Sequence, residues 1–286
     1  MPGYDSICCF RSREAGEMRL LWELTTCCNL DCEFCHRTKP YKYGLSIDEI
    51  SKLIPVLHEI GVSEIIISGG EPLVRKDIFD IIDLLAKEGF ALDLCTNAYA
   101  IDETIASELR LRFSEISVSL DSVTEDIHNN MRNKGDAYKK TIEGIKCLLR
   151  EGISVHVTVL INEVSISHME RTITFLHSIG IKSIALIGEI PVHGGEYYIL
   201  HDDVQLYLAT MIEMIRGKYP DLELNTKEIF PQKGYCNCPA GKTVMSIDVN
   251  GYLSPCILLR NAPKVLLTDG DFSDIIKKYV AGRMVT

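Results

Sequence analysis

Six short runs of apolar, often β-branched residues recur along this chain, and each is followed by a stretch with helical periodicity. The runs are Leu20–Leu24, Glu64–Ser68, Ala91–Thr96, Glu115–Leu120, Ser154–Leu160 and Ser183–Leu186. The helical stretches are Ser46–Ile60, Asp77–Glu88, Ile101–Leu111, Asp136–Glu151, His168–Ile179 and Val204–Gly217. In the first of these Ile50, Leu53, Ile54, Leu57 and Ile60 fall on one face, and Ser46 with Glu49 forms a capping box at its start. Gly89, Gly152 and Gly180 mark the ends of three. A tight hairpin joins only antiparallel strands, so repeated strand–helix alternation calls for parallel strands with crossover helices. Runs such as Ile65-Ile66-Ile67 are continuous rather than alternating, as in a sheet covered on both faces. The expected fold class is α/β, a partial (β/α)6 barrel of TIM type. Residues 20–223 carry it, 1–19 precede it, and 224–286 form a small further unit.

That last unit has a different texture. Pro231, Gly234, Cys236, Cys238, Pro239, Gly241, Gly251, Pro255 and Cys256 crowd into it. Val244–Val249, Asn250-Gly251 and Tyr252–Ser254 read as a β-hairpin, since Asn-Gly is the strongest short turn signal. Phe272–Val280 reads as a final helix. The net charge of −10 argues against a surface that binds nucleic acid through its phosphates. No apolar run approaches the roughly 18–20 residues that span a bilayer, and Met1–Phe10 lacks the pattern of a signal peptide. Eleven cysteines, an odd number in a chain of 286 residues, point to reduced thiols in the cytoplasm, some of them ligating metal.

The densest group follows the first strand: Thr25-Thr26-Cys27-Cys28-Asn29-Leu30-Asp31-Cys32-Glu33-Phe34-Cys35-His36. Cys27 and Cys28 allow two frames, and Cys28, Cys32 and Cys35 give spacings of three and two intervening residues. Three thiolates on one loop suit soft-metal chemistry, iron–sulfur or zinc. Zinc asks for a fourth ligand, and His36 is too close to Cys35 to serve easily. A cube held by three cysteines leaves one iron open to a small molecule. A loop of buried free thiols is the plainest alternative. After the second strand comes Ser68-Gly69-Gly70-Glu71-Pro72, where two glycines admit close backbone approach to a ligand and Glu71 can accept from an ammonium.

These segments together resemble the radical S-adenosylmethionine (SAM) enzymes. The loop matches their C-x3-C-x2-C signature, with an aromatic residue, Phe34, before the last cysteine, and Gly69-Gly70-Glu71-Pro72 matches their GGEP motif. Thr96-Asn97, Ser119-Leu120-Asp121-Ser122 and the His128–Arg132 stretch are similar to further family segments. The resemblance implies a [4Fe–4S] cluster on Cys28, Cys32 and Cys35, and SAM bound by Phe34, Gly69, Gly70, Glu71, Pro72, Thr96, Ser119, Arg132 and Leu160. Within that set Glu71 and its neighbours meet the amino group, Ser119 the ribose or carboxylate, Arg132 the methionyl carboxylate and Leu160 the adenine. All lie at C-terminal strand ends, where barrel chemistry sits.

Cys238 through Gly251 to Cys256 resembles the C-x9-15-G-x4-C element of SPASM and twitch extensions, which hold auxiliary iron–sulfur clusters. No cysteine follows Cys256, so the twitch form is implied, with Cys236, Cys238 and Cys256 as ligands to a second cluster. Cys8 and Cys9 are candidates for a fourth ligand. A zinc hairpin and a set of structural thiols remain open on spacing alone. Cys95 and Cys147 read as core thiols. Glu189, Tyr197 and Tyr198, beyond the sixth strand, lie where a substrate can be met.

The resemblance implies reductive cleavage of SAM to methionine and a 5′-deoxyadenosyl radical that abstracts a substrate hydrogen. The electron comes from a one-electron donor such as flavodoxin or ferredoxin. Modification of a ribosomally made peptide, by cross-link, thioether or epimerisation, is the first expected function. Radical oxidation or rearrangement of a small metabolite, such as a sugar, an aminoglycoside or a cofactor precursor, is the second. An iron–sulfur electron carrier without SAM is the non-enzyme alternative; it has no need of Glu71 or Arg132.

Overall fold

The computed structural model describes residues 18–37, 40–189, 201–226, 229, 241, 243–256 and 264–267. In chain order its strands are β1 (Met18–Glu23), β2 (Val62–Ser68), β3 (Ala91–Thr96), β4 (Glu115–Ser119), β5 (Ser154–Ile161), β6 (Ser183–Gly188), β7 (Glu223–Asn225), β8 (Val244–Ile247), β9 (Tyr252–Ser254) and β10 (Val265–Leu266). The α-helices are α1 (Ile47–Glu59), α2 (Ile78–Lys87), α3 (Glu103–Arg110), α4 (Glu125–Arg132), α5 (Ala137–Arg150), α6 (Met169–Ser178) and α7 (Asp202–Lys218).

The described residues fall into two compact units. The first takes residues 18–29, 37, 40–96, 241, 243–256 and 264–267, the second residues 30–36, 97–189, 201–226 and 229. In the first unit the strand order is β10-β9-β8-β1-β2-β3. β1 pairs in parallel with β2 on one side and with β8 on the other, and β2 pairs in parallel with β3. The predicted hairpin is present as β8 and β9, with β10 antiparallel beyond it. Its first strand extends the sheet of β1 rather than standing apart. Leu20, Trp22, Ile65, Ile66 and Ile67 are buried from both faces, as their continuous runs predict. Against them α2 lays Ile78, Ile81, Ile82 and Leu85, and α1 lays Ile50, Leu53, Ile54 and Leu57. Each such side chain contributes roughly 1.5–3 kcal/mol through burial. The start of α1 is fixed by its capping box: Glu49 N donates to Ser46 Oγ at 3.3 Å, and Ser46 N donates to Glu49 Oε2 at 2.8 Å.

The second unit has the order β4-β5-β6-β7, all parallel. Val157, Val159, Ile184 and Leu186 form its apolar centre, covered in part by Ile173 and Leu176 of α6 and Ile145 and Leu148 of α5. The helix expected over Phe272–Val280 lies outside the described residues, as do Tyr197, Tyr198, Cys8, Cys9, Cys236 and Cys238.

Candidate active site

In the first unit the ladder between β1 and β2 continues past the ends of both strands. Leu24 N donates to Ser68 O at 3.0 Å, Gly70 N to Thr25 O at 2.6 Å and Glu71 N to Cys27 O at 2.9 Å. A Cβ on Gly69 would stand 2.3 Å from Thr25 O, and one on Gly70 would stand 2.2 Å from Cys27 O. Gly69 also holds φ at +140°, which a side chain disfavours. The close approach that the sequence ascribes to a ligand is therefore made, among the described residues, by the backbone entering the cysteine loop. That backbone leads directly to Cys28.

Glu71 is buried, and its Oε1 accepts from Leu73 N at 3.1 Å and from the Thr96 hydroxyl at 2.8 Å. The first bond caps a 3-10 turn, Pro72–Val74, whose leading proline has no N–H to satisfy. The second joins the ends of β2 and β3, so two predicted site residues meet here. Arg75 follows, buried, with Nη1 donating to Leu24 O at 2.8 Å and Tyr43 O at 2.9 Å, and Nη2 to Leu45 O at 2.9 Å. It pins the segment before the cysteine loop to the segment after it. Thr25 Oγ1 donates to Lys42 O at 3.0 Å and Lys42 N to Thr26 Oγ1 at 2.6 Å, closing the neck of the same loop. At the end of β1, burial pushes the Glu23 carboxyl up to about 7, against a lowering by Val249 N–H. Cys256, half-buried, follows β9 in this unit.

The second unit carries Cys32, Phe34 and Cys35. Cys35 N donates to Cys32 O at 3.2 Å, a tight turn between the two thiols. Arg132, the last residue of α4, donates from Nε to Asp121 Oδ2 at 2.6 Å and from Nη2 to Asp121 Oδ1 at 2.8 Å. Its Nη1 points to Cys32 Sγ at 3.9 Å, and its guanidinium lies 5.2 Å from the centre of the Phe34 ring. The fork that the sequence offers to a methionyl carboxylate is thus already paired with a carboxylate of the chain itself. Burial alone would push the Arg132 guanidinium down, but Asp121 and Cys32 beside it hold it above its ordinary value. Burial pushes the Cys32 thiol up, a rise that Arg132 opposes.

Asp121 is the residue that reading the sequence for ligands missed. It is 1% exposed, holds Arg132 bidentately, and accepts from Leu160 N at 3.4 Å. His128 Nδ1 accepts from Asp121 N at 3.3 Å, and burial drives the imidazole down to about 4. The signal was a carboxylate closing a buried strand run, eleven residues before an arginine on the next helix. Ser119 ends β4 opposite Thr158 of β5, and Leu160 sits near the end of β5, 6% exposed. Beyond β6, Glu189 Oε2 accepts from Asn162 Nδ2 at 2.6 Å. Burial pushes the Cys95 thiol up, and Cys147 is buried.

The described cysteines all stand outside disulfides. Among the described residues no three His, Cys, Asp or Glu side chains converge as a ready-made metal site, and no helix is long and apolar enough to cross a membrane.

The family model described as the Radical SAM superfamily matches residues 22–176. An AdoMet-dependent heme synthase of Methanosarcina barkeri is 28% identical over 181 residues, covering 62% of this chain and 52% of that protein, so the match spans about half of its length. A probable GTP 3′,8-cyclase of Saccharolobus solfataricus is 27% identical over 283 residues, covering 91% of this chain and 90% of that one. Among solved structures, Streptococcus suis SuiB bound to S-adenosylmethionine superposes with a TM-score of 0.77 at 18% identity, covering 94% of this chain and 68% of SuiB. SuiB bound to its precursor peptide SuiA gives the same TM-score at 17% identity, over 94% of this chain and 67% of SuiB. The likeness shows the fold: a parallel α/β sheet of the open-barrel type.

Proposed function

The chain belongs to the radical SAM superfamily and is an enzyme of it, and from that premise we propose that it modifies a peptide by hydrogen abstraction, as a member of the SPASM/twitch subgroup. Membership implies a [4Fe–4S] cluster and SAM as cofactors, and it sets aside the electron-carrier reading. When bound, they supply reductive cleavage of the sulfonium and a 5′-deoxyadenosyl radical that takes a hydrogen atom from the substrate. The residues fit the cluster in their chemistry. Cys28, Cys32 and Cys35 are soft donors outside disulfides at the family spacing. Burial pushes the half-buried Cys32 thiol up, and binding to a metal releases a thiol's proton. Ligand sets of this kind gather as metal binds, so preformed convergence is not required.

Cys28, Cys32 and Cys35 hold the cluster. Glu71 accepts from the ammonium of SAM: a carboxylate has about four acceptor sites, and Thr96 and Leu73 N orient this one through Oε1. Gly69, Gly70 and Pro72 fix Glu71 against the loop. Phe34, Ser119, Arg132 and Leu160 complete the surroundings of SAM. Cys236, Cys238 and Cys256 ligate an auxiliary cluster in an extension beginning near residue 224, and a flavodoxin or ferredoxin delivers the electron. The observation that carries the reading is the backbone docking of Gly69–Glu71 onto the residues entering Cys28, which joins the two family motifs into one structure.

Fold likeness to SuiB, solved with a precursor peptide, supports a peptide substrate. The end-to-end match to a probable GTP 3′,8-cyclase supports a second reading, rearrangement of a small metabolite. Anaerobic reconstitution tests the proposal. Wild type is expected to hold about eight irons and to release 5′-deoxyadenosine from SAM under reduction, and Cys28/Cys32/Cys35→Ala about four irons with no release. Zinc in place of iron, or no SAM cleavage by iron-loaded protein, defeats it. About four irons falling to none removes the auxiliary cluster alone.

A further inference from the structure

We infer that Arg132, gripped by Asp121, donates a hydrogen bond to the Cys32 sulfur and thereby raises the reduction potential of the cluster that Cys32 helps to hold. The inference rests on the cluster assignment above and deepens it. Its warrant is the way the guanidinium is aimed. Two of its N–H groups are taken in parallel by Asp121, at 2.6 and 2.8 Å, so the plane of the fork is fixed. Asp121 is itself almost wholly buried and accepts from Leu160 N, so it does not swing. With that plane fixed, Nη1 faces Cys32 Sγ at 3.9 Å, and the Phe34 ring flanks the guanidinium at 5.2 Å. A surface arginine would reach the same sulfur only by chance; this one has little freedom to leave it.

The consequence is electrostatic. Reduction adds a negative charge to the cluster, and part of that charge resides on the ligand sulfurs. An N–H donor to such a sulfur stabilises the reduced form, and hydrogen bonds to sulfur are among the factors that set iron–sulfur potentials. Asp121 and Arg132 are together neutral, so the pair adds no net charge beside the cluster. What it adds is direction, with the donor end turned toward Cys32. Arg132 is a positioning and tuning residue in this account, and Asp121 acts through it.

The test is an EPR-monitored redox titration of anaerobically reconstituted full-length protein, alongside iron counts. The signal of interest is the one absent from Cys28/Cys32/Cys35→Ala. The charge-neutral double variant Asp121→Asn/Arg132→Met removes the donor without leaving a lone charge. It is expected to keep its iron and to show at least a tenfold shift of the one-electron equilibrium toward the oxidised cluster, about 59 mV lower in midpoint. An unchanged midpoint at full iron content overturns the inference. If the double variant loses iron, Arg132→Lys is titrated in its place, because it keeps the charge and loses the fork. A lowered midpoint then supports the inference and an unchanged one overturns it. Absence of the signal from wild type is a different failure, that of the cluster assignment itself.

Discussion

The two units hold their candidate residues by different physics. In the first, the work is done by main chain against main chain. Gly69 and Gly70 carry no Cβ, so the end of β2 lies against Thr25 and Cys27, and Arg75 binds three carbonyls on either side of the loop. In the second, side-chain charge does it: a buried Asp121 holds a buried Arg132 against Cys32. Main-chain docking is damaged by added volume, and a buried charge pair by lost complementarity. Substitutions that look equally mild should therefore fail in different ways in the two places.

The largest effect should come from Asp121→Ala. It leaves Arg132 buried without its counter-charge, and breaking such a pair destabilises by about 3–5 kcal/mol. Urea denaturation should show the loss, with a smaller one for Asp121→Asn, which keeps an acceptor. Equal midpoints for Asp121→Ala and wild type would mean that the pair is not a structural element at all.

Acidity separates the units next. His128, in the second, is driven down to about 4 by burial from an ordinary 6.5, so the unfolded chain binds its proton more readily. The stability it contributes is complete above pH 6.5 and drains away as pH falls toward 4, at about 3 kcal/mol in all. Glu23, in the first, behaves oppositely. Its carboxyl is lifted by burial from 4.5 to about 7, so its contribution is complete below pH 4.5 and is lost as pH rises through 7, again about 3 kcal/mol. Denaturation between pH 4 and pH 8 should therefore give a steeper acid limb in Glu23→Gln than in His128→Phe. The reverse order would contradict both assignments.

Much of this was legible in the chain. The six strands lie where their apolar runs stand, β3 over Ala91–Thr96 to the residue, and α1 begins where Ser46 and Glu49 place it. Local pattern suffices for such features because burial and capping act over a few residues. α4 was not expected as a helix, since its buried face is His128, Asn129, Met131 and Arg132 rather than an apolar stripe. The parallel pairing of β8 with β1 joins residues more than two hundred positions apart, and no local period encodes it. The site divides the same way. Gly-Gly-Glu-Pro can be read at once as a place of close approach, though not that a second loop makes the approach. Asp121 is unreadable alone, because its role exists only once Arg132, Leu160 and His128 surround it.

Gly70→Ala tests the main-chain half. A Cβ there meets Cys27 O at 2.2 Å, and backbone cannot step aside as a side chain can. Overpacking of this kind costs about 1–3 kcal/mol, and the strain falls on the residues entering Cys28. Iron retention after desalting should drop further than global stability does. A variant that keeps full iron and wild-type stability would show that the docking seen here is dispensable.

The smallest effect should be that of Phe34→Leu. The ring lies 5.2 Å from the Arg132 guanidinium, and a cation–π contact at a partly exposed site is worth about 0.5–1 kcal/mol. The value lies in its comparison with Asp121. If the carboxylate aims the guanidinium and the ring only flanks it, Phe34→Leu should lower stability slightly and leave the cluster midpoint where wild type has it. A midpoint shift as large as that of the Arg132 variants would make the ring an equal partner. The central difference would then blur, because the second unit would be positioning its cation by packing as much as by charge.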